Sequence, residues 1–248
     1  MLLFLSFTLS AQAYQTYSMH FVRIEGDLEA FETVQQVYMQ KVAQNAVDNG
    51  DIVFWAFLRR VTMDNIDDEE RKNYLFVQSN TDLTAILSDK NEWWNNASSI
   101  LSKEEQAIVD ALSSKFTWVS DSRHIFQDEI SVVKGLGTHI QFNFASPKNL
   151  AGFITENKVL WKNYFTKNMS KMGMVNWGVG RKIAPTGMNA SSVSTWDMFD
   201  SLENLMKYRA EFSLPPDIAK KSKMSIHNPD GWKYSPIFNA ISFAVPVQ

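Results

Sequence analysis

"GMVNWGVGRK", residues 173–182, restates a phrase written earlier as "DIVFWAFLRR", residues 51–60. Each has an apolar approach, a tryptophan, three small or mostly apolar residues, and two basic residues: Trp55 before Arg59 and Arg60, Trp177 before Arg181 and Lys182. The surroundings repeat as well. "MHFVRIEGDLEAF" from Met19 runs beside "THIQFNFASPKNLAGF" from Thr138, each a short strand with a His near its start, a turn, and a helix. "NYLFVQSNTDLTAIL" (73–87) matches "SVSTWDMFDSLENLM" (192–206) as strand, polar cap and helix. "HIFQDEISVV" (124–133) and "PIFNAISFAV" (236–245) share Ile-Phe and a later Ile-Ser, one residue out of step, which predicts a bulge or a chance match.

Each half therefore reads strand, helix, strand, strand, helix, strand, the ferredoxin-like βαββαβ order. Leu28, Phe31, Val34, Tyr38, Val42 and Val47 fall near helical spacing in the first long helix, ended by Asn49-Gly50. Leu150, Phe153, Val159, Leu160, Tyr164 and Phe165 do so in the second, with Ser146 as N-cap, Pro147 in the first turn and Gly173 at the end. Ser102 followed by Glu105 predicts a capping box. The fold class is α+β: two tandem repeats, residues 14–134 and 135–248, joined closely through "VVKGLGTH" (132–139). A four-stranded sheet with helices on one face must cover its other face, and a second copy packed sheet against sheet supplies the cover. On this reading residues 16–133 and 137–247 superpose, and one continuous barrel would contradict it.

The chain resembles the dimeric α+β-barrel superfamily in its fused, two-repeat form, through this element order, the paired His and the W-x-x-x-basic-basic phrase. That superfamily includes antibiotic-biosynthesis-type monooxygenases, haem-degrading enzymes, chlorite-dismutase relatives, isomerases and members without known chemistry. The resemblance implies a pseudo-dimeric barrel with its site between sheet and helices or between sheets. Haem is the cofactor of one such alternative; no cofactor follows from the residues themselves.

The 248 residues are 45% hydrophobic and 21% charged, with net charge −3, so no basic surface for nucleic acid is indicated. Eight Trp and seventeen Phe suit an apolar ligand cavity as well as a core. "MLLFLSFTLSAQAYQ" (1–15) has an apolar run and a small-x-small site, which predicts a signal peptide over 1–13, cleavage after Ala13, and a periplasmic or secreted bacterial protein. No later stretch predicts a membrane span. "DNIDDEE" (64–70) reads as a solvated acidic loop.

The candidate ligand-binding residues are His139, Gln141, Asn143, Trp177, His20 and Trp55. His139, Gln141 and Asn143 alternate on one face of a strand whose other face is Ile140, Phe142 and Phe144. With the apolar face against the helices, the polar trio points into a cavity. Gly178 and Gly180 beside Trp177 are expected to open room there. Arg59, Arg181 and Lys182 are rim candidates for an anion, with a solvated strand end as the plain alternative. His124 is expected to be exposed, and no His/carboxylate spacing predicts a metal. Three functional classes remain open. One is an exported protein binding a small, partly apolar molecule; another is a cofactor-free or haem-linked monooxygenase-type enzyme. A structural or oligomeric surface protein, including a homo-oligomer, is the third.

Overall fold

The computed structural model describes residues 16–63 and 71–246; the predicted signal peptide and acidic loop lie outside the described residues. Eight strands form one closed antiparallel barrel: β1 (Thr16–Gly26), β2 (Phe54–Arg60), β3 (Tyr74–Asn80), β4 (Phe116–Val133), β5 (His139–Ala145), β6 (Met174–Ala184), β7 (Val193–Phe199) and β8 (Ile237–Ala244). Around the barrel the order is β1-β3-β2-β8-β5-β7-β6-β4. The first four strands thus lie as β4-β1-β3-β2 and the last four as β8-β5-β7-β6, the same order twice.

The expectation of two sheets packed face to face is corrected here. So is the view that one continuous barrel would contradict a repeat, since a single barrel holds the same strand order in both halves. The sheets join edge to edge, β2 to β8 and β4 to β6, with no free edge between them. β4 makes this possible by its length. Its residues up to Gln127 pair with β1, while Ile125–Val133 pair with β6. The one-residue slip seen in the sequence is a bulge, because β4 shifts register between Asp128 and Ile130.

The ladders show which parts of the repeated phrase are equivalent. Trp55 pairs with Gln78 and Trp177 with Asp197, each third from the end of its partner strand. Arg59 pairs with Tyr74 and Arg181 with Val193, each the first residue of its partner. The histidines do not correspond. His20 pairs with Phe76, the third residue of β3, but His139 pairs with Phe199, the last of β7.

Both long helices carry a π-helical segment. The first runs Leu28–Thr33, Val34–Met39 (π) and Gln40–Asp48; the second runs Leu150–Glu156, Asn157–Trp161 (π) and Lys162–Asn168. A wider turn leaves a carbonyl without its usual partner, and the Asn157 side chain donates to Phe153 O at 2.9 Å. The second helix starts later than expected. Asn149 caps it by accepting from Gly152 N at 2.9 Å, while the Ser146 hydroxyl donates to Ala190 O. Gly50 and Gly173 leave the helices at φ of 74° and 68°, a conformation that L side chains rarely adopt. The Ser102–Glu105 capping box is present.

Three apolar clusters follow. One lies between β1–β3 and the first helix, around Phe31, Trp55 and Phe57; a second lies under the other long helix, where Trp177 stacks on Phe165 at 4.7 Å. The third fills the barrel, with Tyr17, Met19, Phe126, Ile140, Phe142, Phe144 and Phe238. Among the described residues no helix is long and apolar enough to cross a membrane.

Candidate functional site

The third cluster inverts the expected facing of β5. Ile140, Phe142 and Phe144 point into the barrel, so Gln141 and Asn143 lie on the outer side, beneath the helix Leu202–Glu211. The barrel interior is lined mainly by apolar residues, whereas the helix laid outside brings polar partners. Asn143 donates to Asp197 Oδ2 at 2.8 Å and Thr195 Oγ1 at 3.1 Å, and Gln141 donates to Asn143 Oδ1 at 2.7 Å. Arg209 donates to Gln141 Oε1 and, at 2.6 Å, to Ser235 O. Burial pushes the Asp197 carboxyl up to about 6, with the Asn143 and Gln141 hydrogen bonds opposing it. The group is a satisfied polar network, not an open pocket.

The other candidates are dispersed. His139 is half-buried, its Nδ1 3.0 Å from Thr138 Oγ1. His20 also faces outward, its Nε2 3.1 Å from Asp121 Oδ2. Trp55 and Trp177 pack under the helices. Arg59 pairs with Glu32 at 3.1 Å and Arg181 with Glu129 at 2.9 Å, so neither is an uncommitted rim cation. Lys182 turns inward, its Nζ 5.5 Å from the Phe126 ring centre. Gly178 and Gly180 do not open space. A Cβ on Gly178 would stand 2.0 Å from the Trp196 ring, and one on Gly180 2.0 Å from Tyr17 Oη. Among the described residues no His, Asp or Glu group could hold a metal ion.

Inside the barrel, a cavity of about 90 Å³ is walled chiefly by Phe54, Ala56, Leu58, Ile140, Phe142 and Met198. Into it project Asp128, Ser131, Asn176, Tyr17 and Trp196. The bulge in β4 accounts for the first two: Asp128 and Ser131 both face inward, while Ile130 between them packs on the helix side. Asp128 is the register partner of Gly180, the residue against which Tyr17 Oη rests. Tyr17 stacks on Phe126 (5.1 Å, 7°) and meets Trp196 edge-on (5.5 Å, 81°). Trp196 Nε1 donates to Asn176 Oδ1 at 2.9 Å.

Burial pushes the Asp128 carboxyl up to about 7, against hydrogen bonds from the Ser131 hydroxyl and Ile130 N–H. Its Oδ1 and the Tyr17 hydroxyl are buried without a hydrogen-bond partner among the described residues. Burial first, and Asp128 second, hold the Tyr17 phenol well above its ordinary value, so it remains neutral. The arrangement provides a carboxyl able to change protonation near neutrality inside an apolar chamber. Sequence reasoning passed over both residues. The signal was the acidic pair Asp128-Glu129 at the point where the two closing segments fall one residue out of step.

A haem does not fit this chamber. No histidine lines it, and a porphyrin is far larger than the space. Asn176 enters the cavity, while Trp177 and His139 face away from it.

No family model and no curated protein matches the chain. Among solved structures it is similar to an anthrone oxidase-like protein (TM-score 0.55, 9% identity, covering 93% of this chain and 92% of that one). It is similar also to a provisionally assigned monooxygenase from Lactobacillus acidophilus NCFM (TM-score 0.52, 10% identity, 93% and 96% covered). A third, from Fusobacterium nucleatum and provisionally assigned likewise, matches at a TM-score of 0.50 with 9% identity, over 94% and 95%. These likenesses give the fold, that of the dimeric α+β-barrel proteins.

Proposed function

We propose that the barrel binds a small, mostly apolar one-ring molecule and that Asp128 takes a proton from it. The observation that carries this reading is a carboxyl with a pKa of about 7 inside an apolar cavity. A base works best when its pKa lies near the operating pH, and burial is the usual means of raising a carboxylate to that range. Tyr17, kept neutral, stands as a hydrogen-bond donor for the anion that forms. Loss of a proton from a phenol or an activated C–H gives an electron-rich anion that reacts directly with dioxygen. For a hydroquinone, one oxygen atom enters the ring to give a hydroxyquinone and the other leaves as water. This is monooxygenase chemistry without a cofactor; two of the similar structures are provisionally assigned as monooxygenases.

The reading extends to the whole chain: residues 14–134 and 135–248 are two copies of one ferredoxin-like unit, exported after removal of residues 1–13 and active as a homo-oligomer. Support for duplication comes from the repeated strand order and the matched positions of Trp55 and Trp177.

The test uses hydroquinone as probe, with dioxygen uptake and binding followed separately. Wild-type protein should consume dioxygen at a rate rising through pH 7 as Asp128 ionises. Asp128→Asn should lose roughly 10²–10⁴-fold in turnover while still binding the probe. Equal turnover in the variant overturns the role of Asp128. Binding without turnover in wild-type protein leaves a binding protein instead.

A further inference from the structure

The far end of the barrel, where β2 and β6 finish, differs from the cavity end. Its inward positions carry charge and unpaired polar atoms. Lys182 is 8% exposed and its Nζ lies over the Phe126 ring, with no hydrogen bond or ion pair among the described residues. His124 precedes Phe126 by two positions on the same inward side. It is not the exposed residue that the sequence suggests, since its Nδ1 is buried without a partner among the described residues. Burial, and after it the Lys182 charge, push the His124 imidazole down to about 4, so it is neutral near pH 7 and acts as donor or acceptor rather than cation. The Tyr234 hydroxyl is also buried without a partner among the described residues.

Ring contacts bring these groups to one mouth. Phe21 lies 5.5 Å from His124, 6.0 Å from Phe144 and 6.1 Å from Phe238. Tyr234 stacks on Phe144 at 6.4 Å, and the Arg60 guanidinium sits 5.2 Å over the Tyr234 ring. Arg60 and Lys182 end the two copies of the repeated phrase, so both inward basic residues belong to the same end. Burying two polar atoms without partners, beside a lysine that is itself largely buried, is unfavourable, and apolar residues would fill the space more stably.

We propose that this mouth binds an organic carboxylate carried on an apolar body. The carboxylate accepts from Lys182 Nζ and Tyr234 Oη, and the body lies against Phe21, Phe126 and Phe144. Arg60 is engaged with the Lys72 carbonyl and the Tyr234 ring, so Lys182 is the cation that meets the carboxylate, which suits a monoanion. The phenylalanine walls favour an organic anion over an inorganic one. Phe126 and Phe142 lie between this mouth and the Asp128 cavity, so the site stands or falls independently of the proposed reaction.

The experiment is calorimetric titration with benzoate, using benzamide and sulfate as comparisons. Benzoate should bind, with benzamide and sulfate each about tenfold weaker or more. Lys182→Met should weaken benzoate about tenfold or more, and Tyr234→Phe a few-fold, with the circular dichroism spectrum unchanged. Asp128→Asn should leave the benzoate affinity as it was, which separates this site from the cavity. Should Lys182→Met fail to fold, Tyr234→Phe and the benzamide comparison still decide. The proposal is overturned if benzoate does not bind, if both variants bind it like wild type, if benzamide equals it, or if sulfate does.

Discussion

Replacing Asp128 by asparagine should make the protein more stable in alkaline solution while removing its proposed chemistry. In the unfolded chain this carboxyl ionises near its ordinary value of 3.8, whereas in the barrel it does so only near 7. Below pH ~4 it is protonated in both states and costs nothing. As pH rises, the unfolded chain gains from ionisation that the folded state resists, so stability is lost from the unfolded value up through pH 7. A gap of about three pH units, at ~1.4 kcal/mol each, comes to about 4 kcal/mol above pH 7. Asparagine keeps an acceptor for Ser131 and Ile130 and does not titrate. Urea unfolding followed by tryptophan fluorescence at pH 4, 5.5 and 8 measures the effect. The variant should exceed wild type by no more than about 0.6 kcal/mol at pH 4 and by up to about 4 kcal/mol at pH 8. Asp197, raised by burial to about 6, titrates alike in both proteins and cancels from the difference. Parallel stability curves for the two proteins would refute the account of Asp128 as a carboxyl held neutral by burial.

Two further substitutions test the packing. Gly180→Ala drives a methyl against Tyr17 Oη and should destabilise by about 1–3 kcal/mol, and adding Tyr17→Phe should recover part of the loss; a double variant no better than the single one rejects the contact. Gln141→Leu deprives Arg209 of an acceptor and Asp197 of a donor, so it should cost about 1–3 kcal/mol in denaturant unfolding without changing hydroquinone affinity in the cavity. A lost affinity with unchanged stability would restore Gln141 as a ligand-binding residue.

Much of the architecture was legible because it rests on local rules. Helix ends at Gly50 and Gly173, the Ser102–Glu105 box and the element order all express themselves within a few residues. The W-x-x-x-basic-basic phrase marked equivalent strand positions, because Trp fills the same space under each long helix. Facing was another matter. Alternation separates Gln141 and Asn143 from Phe142 and Phe144, yet it carries no label for inside or outside when both faces of a strand are covered. What decides is Arg209, on a helix 68 residues beyond Gln141, which makes the outer face hospitable to polar groups. The same applies to Asp128. One bulge sends it inward beside Ser131, and a bulge is set by pairing with β6, far along the chain. The strand glycines misled for a related reason: the close approach they permit is by the rings of Trp196 and Tyr17.

The barrel is closed by its last strand. β8 pairs with β2 on one side, through Trp55–Arg60, and with β5 on the other. While the chain is being made, β2 therefore presents a row of open N–H and C=O groups until residues 237–244 emerge, long after Arg60. Such distant pairing is slow to form. An open β2 edge accepts the β8 of a nearby copy in the same geometry as its own, since the strand is identical. Domain-swapped pairs, linked by exchanged C-terminal strands, are thus the misassembly this connectivity favours at high concentration, and a chain cut short before Ile237 keeps two exposed edges for good.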